Sequence, residues 1–347
     1  MFSSSGTISA AFPSVPFPGS SIYIICTHAK CWDGAAAAAL LEMFCTVNGL
    51  RHVTVPHIQG KSYLREFGSY LQQRRQVTLL MFDVAPDEEL MALVLSSTFI
   101  NVVCGDHHIG TKYMMDQLEA VKSERIMVKY DDTVSGAHLA WDWILLAMNG
   151  DVSTLGLYLD TECKQSSRLL RAICAADLFQ HKGHPEYEAV DACLSMLHTP
   201  DAGTVRAMLS TPGKYEDLVR DGALCLCIRA NIAKDLLARG RTYRMTRRAM
   251  DAARAAGAML PEDCMVHYAH GIPHVKAEMG YLHDYAHLVF IVSVNVNSPK
   301  KWTLAIRRGR VSDIRCDLVA EAFGGGKGHA AAAGTALDYD PIQLLQA

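Results

Sequence analysis

Beyond position 20 the chain shows short, mainly apolar runs, separated by longer stretches in which apolar residues recur at helical spacing. The runs at 22–26, 77–82 and 99–104 are too short for helices, so they predict strands buried on both faces. Between them, 35–44 favours helix, and 62–75 carries Leu64, Phe67 and Leu71 on one helical face. At 86–95, Pro86 followed by Asp87, Glu88 and Glu89 suits a first helical turn. Strands alternating with helices predict a parallel α/β sheet. Residues 135–236 read mainly as helices, clearest at 135–148 and 187–197. Arg239, Arg241, Arg244, Arg247, Arg248 and Arg254 follow, and we read this stretch as a connector with a solvated basic face. After it, 278–285, the β-rich runs 288–296 and 302–307, and a Gly-rich loop from Gly324 predict a smaller α/β domain. The expected organisation is a disordered tail at 1–20, a first domain at 21–205, a helical connector at 206–260 and a second domain at 261–347.

Composition changes this picture only at its edges. Half of the 347 residues are hydrophobic and 20% are charged, enough for a core in each domain and incompatible with disorder of the whole chain. A formal charge of −3 argues against bulk electrostatic binding to duplex nucleic acid or membranes, and no segment is a membrane span. The 11 cysteines are scattered and odd in number, which points to reduced thiols in a cytoplasmic setting. The first twenty residues hold Pro13, Pro16 and Pro18 but no Lys or Arg, unlike a secretory leader or a mitochondrial transit peptide; organellar targeting by other means stays open.

The chemistry gathers after the strands. The first is followed by His28, Cys31, Asp33 and Gly34, the second by Asp83, and the third by Asp106, His107 and His108. Ligands of parallel α/β sheets bind beyond the carboxyl ends of the strands, so these residues are expected to converge. Carboxylates and imidazoles in one place need a cation among them. An oxygen-rich set with some nitrogen suits Mn²⁺ or Mg²⁺ better than a structural zinc, and a two-metal centre able to activate water beside a phosphoryl group follows. Other features rank lower. Cys264, His267, His270 and His274 have zinc-like spacing but read as incidental; Cys225 and Cys227 read as buried thiols; and the stretch from Ser135 to Trp141 reads as a helix that need not touch substrate.

His28 with Asp33-Gly34, Asp83 closing an apolar run, and Asp106-His107-His108 resemble the first three motifs of the DHH phosphoesterase superfamily. The segment around Asp177 resembles the one supplying that family's last metal carboxylate, and the run from Gly324 to Gly334, with His329, resembles the signature of its associated substrate domain. The resemblance spans about residues 21–338 and implies a parallel-sheet catalytic domain followed by a smaller α/β substrate-binding domain. It also implies a hydrolase with two Mn²⁺ ions, Mg²⁺ being an alternative, acting on short oligonucleotides or nucleotide phosphates through a metal-activated water. By the same resemblance Asp83 bridges the metals, with His28 on one and Asp33, His107 and Asp177 on the other. His108 contacts the phosphate or leaving oxygen, Asp106 orients an imidazole, and Arg307, Gly325, Gly326, Gly328 and His329 face the substrate. Where most members have an earlier Asp in the first motif, this chain has Cys31, which either ligates a metal or fills space. Cyclic-dinucleotide hydrolysis, single-strand exonuclease activity and a degenerate nucleic-acid-binding scaffold stay open beside the leading reading, as does a homodimer.

Overall fold

In the computed structural model, residues 20–347 are described except 59–60, 72–74, 159–166, 179, 198, 272–285, 295–299, 310–311, 330–331 and 347; the side chains of 67 and 327–329 are likewise outside the description. The chain divides into two compact units, Met1–Ala223 and Leu224–Ala347.

The first unit runs β1 (Ile22–Thr27), α1 (Trp32–Val47), β2 (His52–Thr54), α2 (Tyr63–Leu71), β3 (Val77–Phe82), α3 (Glu88–Ser96), β4 (Ile100–Asp106), α4 (Lys112–Ala120), β5 (Ile126–Tyr130), α5 (Gly136–Ala147), α6 (Arg168–Asp177), α7 (Pro185–Met196) and α8 (Ala202–Ser210). The expected parallel sheet is present, in the order β2-β1-β3-β4-β5 with every pair parallel. Its apolar runs are continuous because both faces are covered. Ile24, Cys26, Leu79, Met81, Val102 and Cys104 form one core with Tyr63, Leu71, Leu90 and Met115 of the helices after the strands. Ile25, Leu80, Phe82 and Val103 form the other, against the Ala-rich α1 and against α5 and α6. The five consecutive alanines Ala35–Ala39 are all buried. Small side chains on every side let α1 lie close to both the sheet and α5.

Helix α3 begins at Glu88, not Pro86, because the Asp87 carboxylate accepts from the Leu90 amide at 2.8 Å and caps it. Gly68 sits inside α2 with open space where a Cβ would go. Gly68→Ala therefore stabilises the protein by about 0.5–1 kcal/mol, read as a higher denaturant midpoint at unchanged m.

Helix α9 (Lys214–Ala238) carries the chain from the first unit into the second, which continues with β6 (Arg241–Met245), α10 (Arg247–Ala255), β7 (Met265–His270), β8 (Leu288–Val294), β9 (Trp302–Arg308), α11 (Cys316–Gly324), β10 (Lys327–His329), β11 (Ala332–Leu337) and β12 (Leu345–Gln346). Its sheet has the order β10-β11-β9-β8-β7-β6-β12 and is antiparallel except for β7 with β8. One face packs on α10 and α11 through residues such as Phe290, Ile306, Met250 and Phe323. On the other face Val289, Ile291 and Ala305 meet Ala233 and Leu237 of α9.

The Arg-rich segment is thus not a purely helical connector. It holds a strand inside this sheet, with Met245 buried and Arg241 and Arg244 exposed, and a helix whose Ala249, Met250 and Ala253 are buried. Cys225 and Cys227 are not buried thiols either, since they lie on α9 with Cys225 half-buried and Cys227 exposed. The expected element at 278–285 and His274 lie outside the described residues, as do positions 295 and 296.

Candidate metal centre

Strand order explains why the polar residues meet. β1, β3 and β4 are successive neighbours, and β1 and β3 flank the point where the connections change direction, which is where the carboxyl ends of an open sheet leave a crevice. His28 follows β1, Asp83 follows β3, and Asp106 ends β4 with His107 and His108 beyond it. Asp33 lies in the first turn of α1, and Asp177 is the last residue of α6.

Asp83 is at the centre. Its Oδ1 lies 3.1 Å from His107 Nε2 and 3.8 Å from His108 Nδ1, while its Oδ2 lies 3.2 Å from Cys31 Sγ and 3.9 Å from His28 Nδ1. The carboxylate therefore shows one oxygen to each side of the site. Its backbone has φ 64°, a left-handed conformation that Asp tolerates better than most residues. A Cβ on Gly136 would lie 2.3 Å from Asp83 Cβ, and one on Gly34 would lie 2.1 Å from the His28 carbonyl oxygen. Only glycine lets the start of α5 lie against Asp83 and the start of α1 lie against the His28 backbone.

The second side holds Asp33, His107 and Asp177, with His107 Nε2 3.4 Å from Asp177 Oδ2. Asp33 is 1% exposed. Its Oδ2 accepts from the Ala137 amide at 3.1 Å and the neighbouring Ser135 hydroxyl acts to lower its pKa, while Oδ1 is buried with no hydrogen-bond partner among the described residues. The stretch from Ser135 to Trp141 therefore contributes to the site after all: the start of α5 fixes Asp33. Asp177 sits at a helix carboxyl end, where the helix dipole disfavours a negative charge.

The electrostatics of these groups point the same way. Burial, then the charges of Asp83 and Asp177, push the Asp33 pKa well above the carboxylate range. Burial also raises Asp83, against the lowering effect of its hydrogen bond with His107. Burial would lower His107, but its bond to Asp83 and the charge of Asp177 raise it, so without a cation a proton is held among these groups. Cys31 is pushed up by burial and by the Asp83 and Asp33 charges.

His108 differs. Burial would lower it, yet the hydrogen bond and charge of Asp106 raise it to about 9. His108 Nδ1 lies 2.8 Å from Asp106 Oδ1, and Thr111 Oγ1 donates to Asp106 Oδ2 at 2.6 Å. Burial would raise Asp106, but these donors hold it below the usual carboxylate range. His108 thus has its Nδ1 held by Asp106 and its pKa raised by that same carboxylate.

Three overlapping sets each bring ligand atoms within 4.8 Å of one another: Asp83 with Asp106, His107 and His108; His28 with Cys31 and Asp83; and Asp33 with His107 and Asp177. Sequence reading named every one of these residues. It did not find Ser135, the Ala137 amide, Thr111 or the glycine at 136 as parts of the site; a Ser-Gly pair at a helix start was the one signal available.

In the second unit, Arg307 Nη1 donates to the Ile306 carbonyl at 3.1 Å and the Ala333 carbonyl at 3.4 Å. Gly325 ends α11 in the left-handed conformation at φ 68°, and a Cβ on Gly326 would lie 2.4 Å from the Gly334 carbonyl oxygen. Backbone conformation accounts for Gly325 and packing for Gly326. Gly328 pairs with Ala333 across β10 and β11, and the His329 side chain is outside the described residues. His267 is buried with its ring between Thr242 Oγ1 and the Leu237 carbonyl, and no metal-like cluster forms around it among the described residues. No described helix is long and apolar enough to cross a membrane.

No protein-family model and no curated protein matches the sequence. Among solved structures the chain is similar to an exopolyphosphatase-related protein from Bacteroides fragilis, with TM-score 0.51 and 10% identity over 94% of this chain and 90% of that one. It is also similar to RecJ in complex with Mn²⁺ from Thermus thermophilus, with TM-score 0.48 and 14% identity over 93% of this chain and 50% of that one. CDC45 from Entamoeba histolytica aligns with TM-score 0.47 and 8% identity over 94% of both chains. At these identities the likeness concerns the fold alone: the chain shares the overall architecture of the exopolyphosphatase-related protein along 94% of its length.

Proposed function

We propose that the chain is a metal-dependent phosphoesterase acting on short oligonucleotides or nucleotide phosphates. The observation that carries this reading is the convergence of the buried Asp33, Asp83 and His107 with the half-buried Asp177 and His28, in which one carboxylate oxygen of Asp33 has no partner among the described residues. Buried carboxylates this close are costly unless cations lie between them, and the donor set of oxygens with imidazole nitrogens fits divalent ions such as Mn²⁺ or Mg²⁺. Asp83 would be shared by two ions, with His28 on one side and Asp33, His107 and Asp177 on the other. When bound, such ions supply an activated water and neutralise charge on a phosphoryl group.

The chain's own residues supply the rest. Ser135 and the Ala137 amide hold Asp33 in place, and Asp106 and Thr111 fix the His108 ring so that its charged Nε2–H donates to a phosphate or leaving oxygen. In the second unit, Arg307, Gly328 and His329 are the substrate contacts this reading proposes, with Gly325 and Gly326 shaping their loop. A preference for small substrates follows from the slightly acidic chain, since a long single-strand channel is normally strongly basic.

The test is turnover on 5′-phosphorylated oligonucleotides of graded length, a nucleoside 3′,5′-bisphosphate and cyclic dinucleotides, with Mn²⁺ and with Mg²⁺. The expected result is hydrolysis that falls as length grows; no turnover on any of them, with no cation bound at micromolar concentration, removes the proposal.

A pH dependence follows as well. The unfolded chain loses the Asp33 and Asp83 protons near pH 4, whereas the folded metal-free chain keeps them to higher pH, so their contribution to stability falls as pH rises through that window. Divalent cations compete with those protons. Saturating Mn²⁺, at about 100 times its Kd, should add about 2.7 kcal/mol at pH 7.5 and much less at pH 5, read as the difference in thermal midpoint with and without metal.

A further inference from the structure

We propose that the two halves of this centre select different metals: the half formed by His28, Cys31 and Asp83 binds a thiophilic ion such as Zn²⁺ or Co²⁺ through the Cys31 sulfur, while the half formed by Asp33, His107 and Asp177 takes a hard ion such as Mn²⁺ or Mg²⁺. This rests on the metal-centre reading above and sharpens it.

The two donor sets differ in kind. One offers imidazole nitrogen, sulfur and a carboxylate oxygen within 4.8 Å of one another, and the other offers two carboxylates and an imidazole. Sulfur ligands favour zinc-like ions, whereas carboxylates suit Mn²⁺ and Mg²⁺. Cys31 is not a space-filler whose sulfur happens to be near. It is the residue before α1, and its Sγ accepts from the Gly34 amide at 3.1 Å while lying 3.2 Å from Asp83 Oδ2. That amide contact fixes the sulfur's rotamer toward Asp83. The buried Asp33 Oδ1 nearby, without a partner among the described residues, is a second sign that a cation belongs in this crevice. On binding, a sulfur–metal bond forms, the sulfur–hydrogen bond breaks and the proton leaves to solvent.

The experiment is Co²⁺ titration of the full chain followed by absorption. The wild type should develop the near-ultraviolet sulfur-to-cobalt charge-transfer band with one equivalent of Co²⁺. Cys31→Ser should abolish the band and weaken one Co²⁺ or Zn²⁺ site by at least roughly tenfold, the lower end of what lost support for a metal ligand costs, while Mn²⁺ binding at the other half changes little. The ratio of Zn²⁺ to Mn²⁺ affinity should be higher at the half with Cys31 than at the other half, and Cys31→Asp should lower that ratio. The inference is overturned if Co²⁺ binds without the band, if the band persists in Cys31→Ser, or if Cys31→Asp binds Zn²⁺ more tightly than the wild type. Phosphoester hydrolysis without the band removes this inference and leaves the enzyme reading; the band without hydrolysis does the reverse.

Discussion

Asp83→Asn lowers divalent-cation affinity by more than about 100-fold, the upper figure for losing a mere outer partner of a metal ligand, and lowers hydrolysis at least as far. The expectation follows from how Asp83 is used. Its two oxygens face opposite sides, toward His107 on one and toward Cys31 and His28 on the other, so no other described residue of the site touches both halves. Asn keeps the shape but replaces one oxygen by a donor and removes the charge, so one half loses its oxygen and the other keeps only a neutral amide oxygen, which weakens both. Asp33→Asn acts differently: it removes one ligand from one half, and the half with His28 keeps its set. Titration calorimetry separates the two, with Asp83→Asn affecting both sites and Asp33→Asn one.

The second large effect comes from a residue with no chemistry of its own. Gly136→Ala would place a methyl group 2.3 Å from Asp83 Cβ and 2.6 Å from its Cα, contacts that no side-chain rotation relieves. Overpacking against backbone costs typically 1–3 kcal/mol and more when nothing can yield, so we expect about 3 kcal/mol or more. For a unit of this size that lowers the thermal midpoint by roughly 6–12 °C. The protein that stays folded at low temperature should also bind cations poorly, because the movement that relieves the clash displaces Asp83. Cation affinity of Gly136→Ala measured well below its midpoint checks this; a variant that loses stability but binds metal normally would show that Gly136 matters only for packing.

Much of the first unit was legible because its sheet is parallel. Strands covered on both faces read as mainly apolar runs, and parallel order sends their carboxyl ends to the same side, so the sequence alone brings His28, Asp83 and the pair His107 and His108 together. Strands β2 and β5 escaped notice for the opposite reason: they lie at the sheet's edges and are mostly half-buried, with three and five residues and no long apolar run. Strand β6 was hidden by its arginines, because it turns only Met245 fully inward. Within the site, the ligand side chains were legible and their supports were not. Ser135 and Ala137 reach Asp33 across about a hundred residues of sequence, a contact that only the packing of α5 against α1 creates.

The central claim is that cations occupy the crevice where β1, β3 and β4 end. Crystals of the wild-type chain grown with saturating Mn²⁺ and measured for anomalous scattering test it most directly. The account predicts peaks within about 2.0–2.3 Å of the Asp83 carboxylate, one beside His28 and one beside Asp33, His107 and Asp177. Crystals with saturating Mn²⁺ and no peak at Asp83 would contradict it.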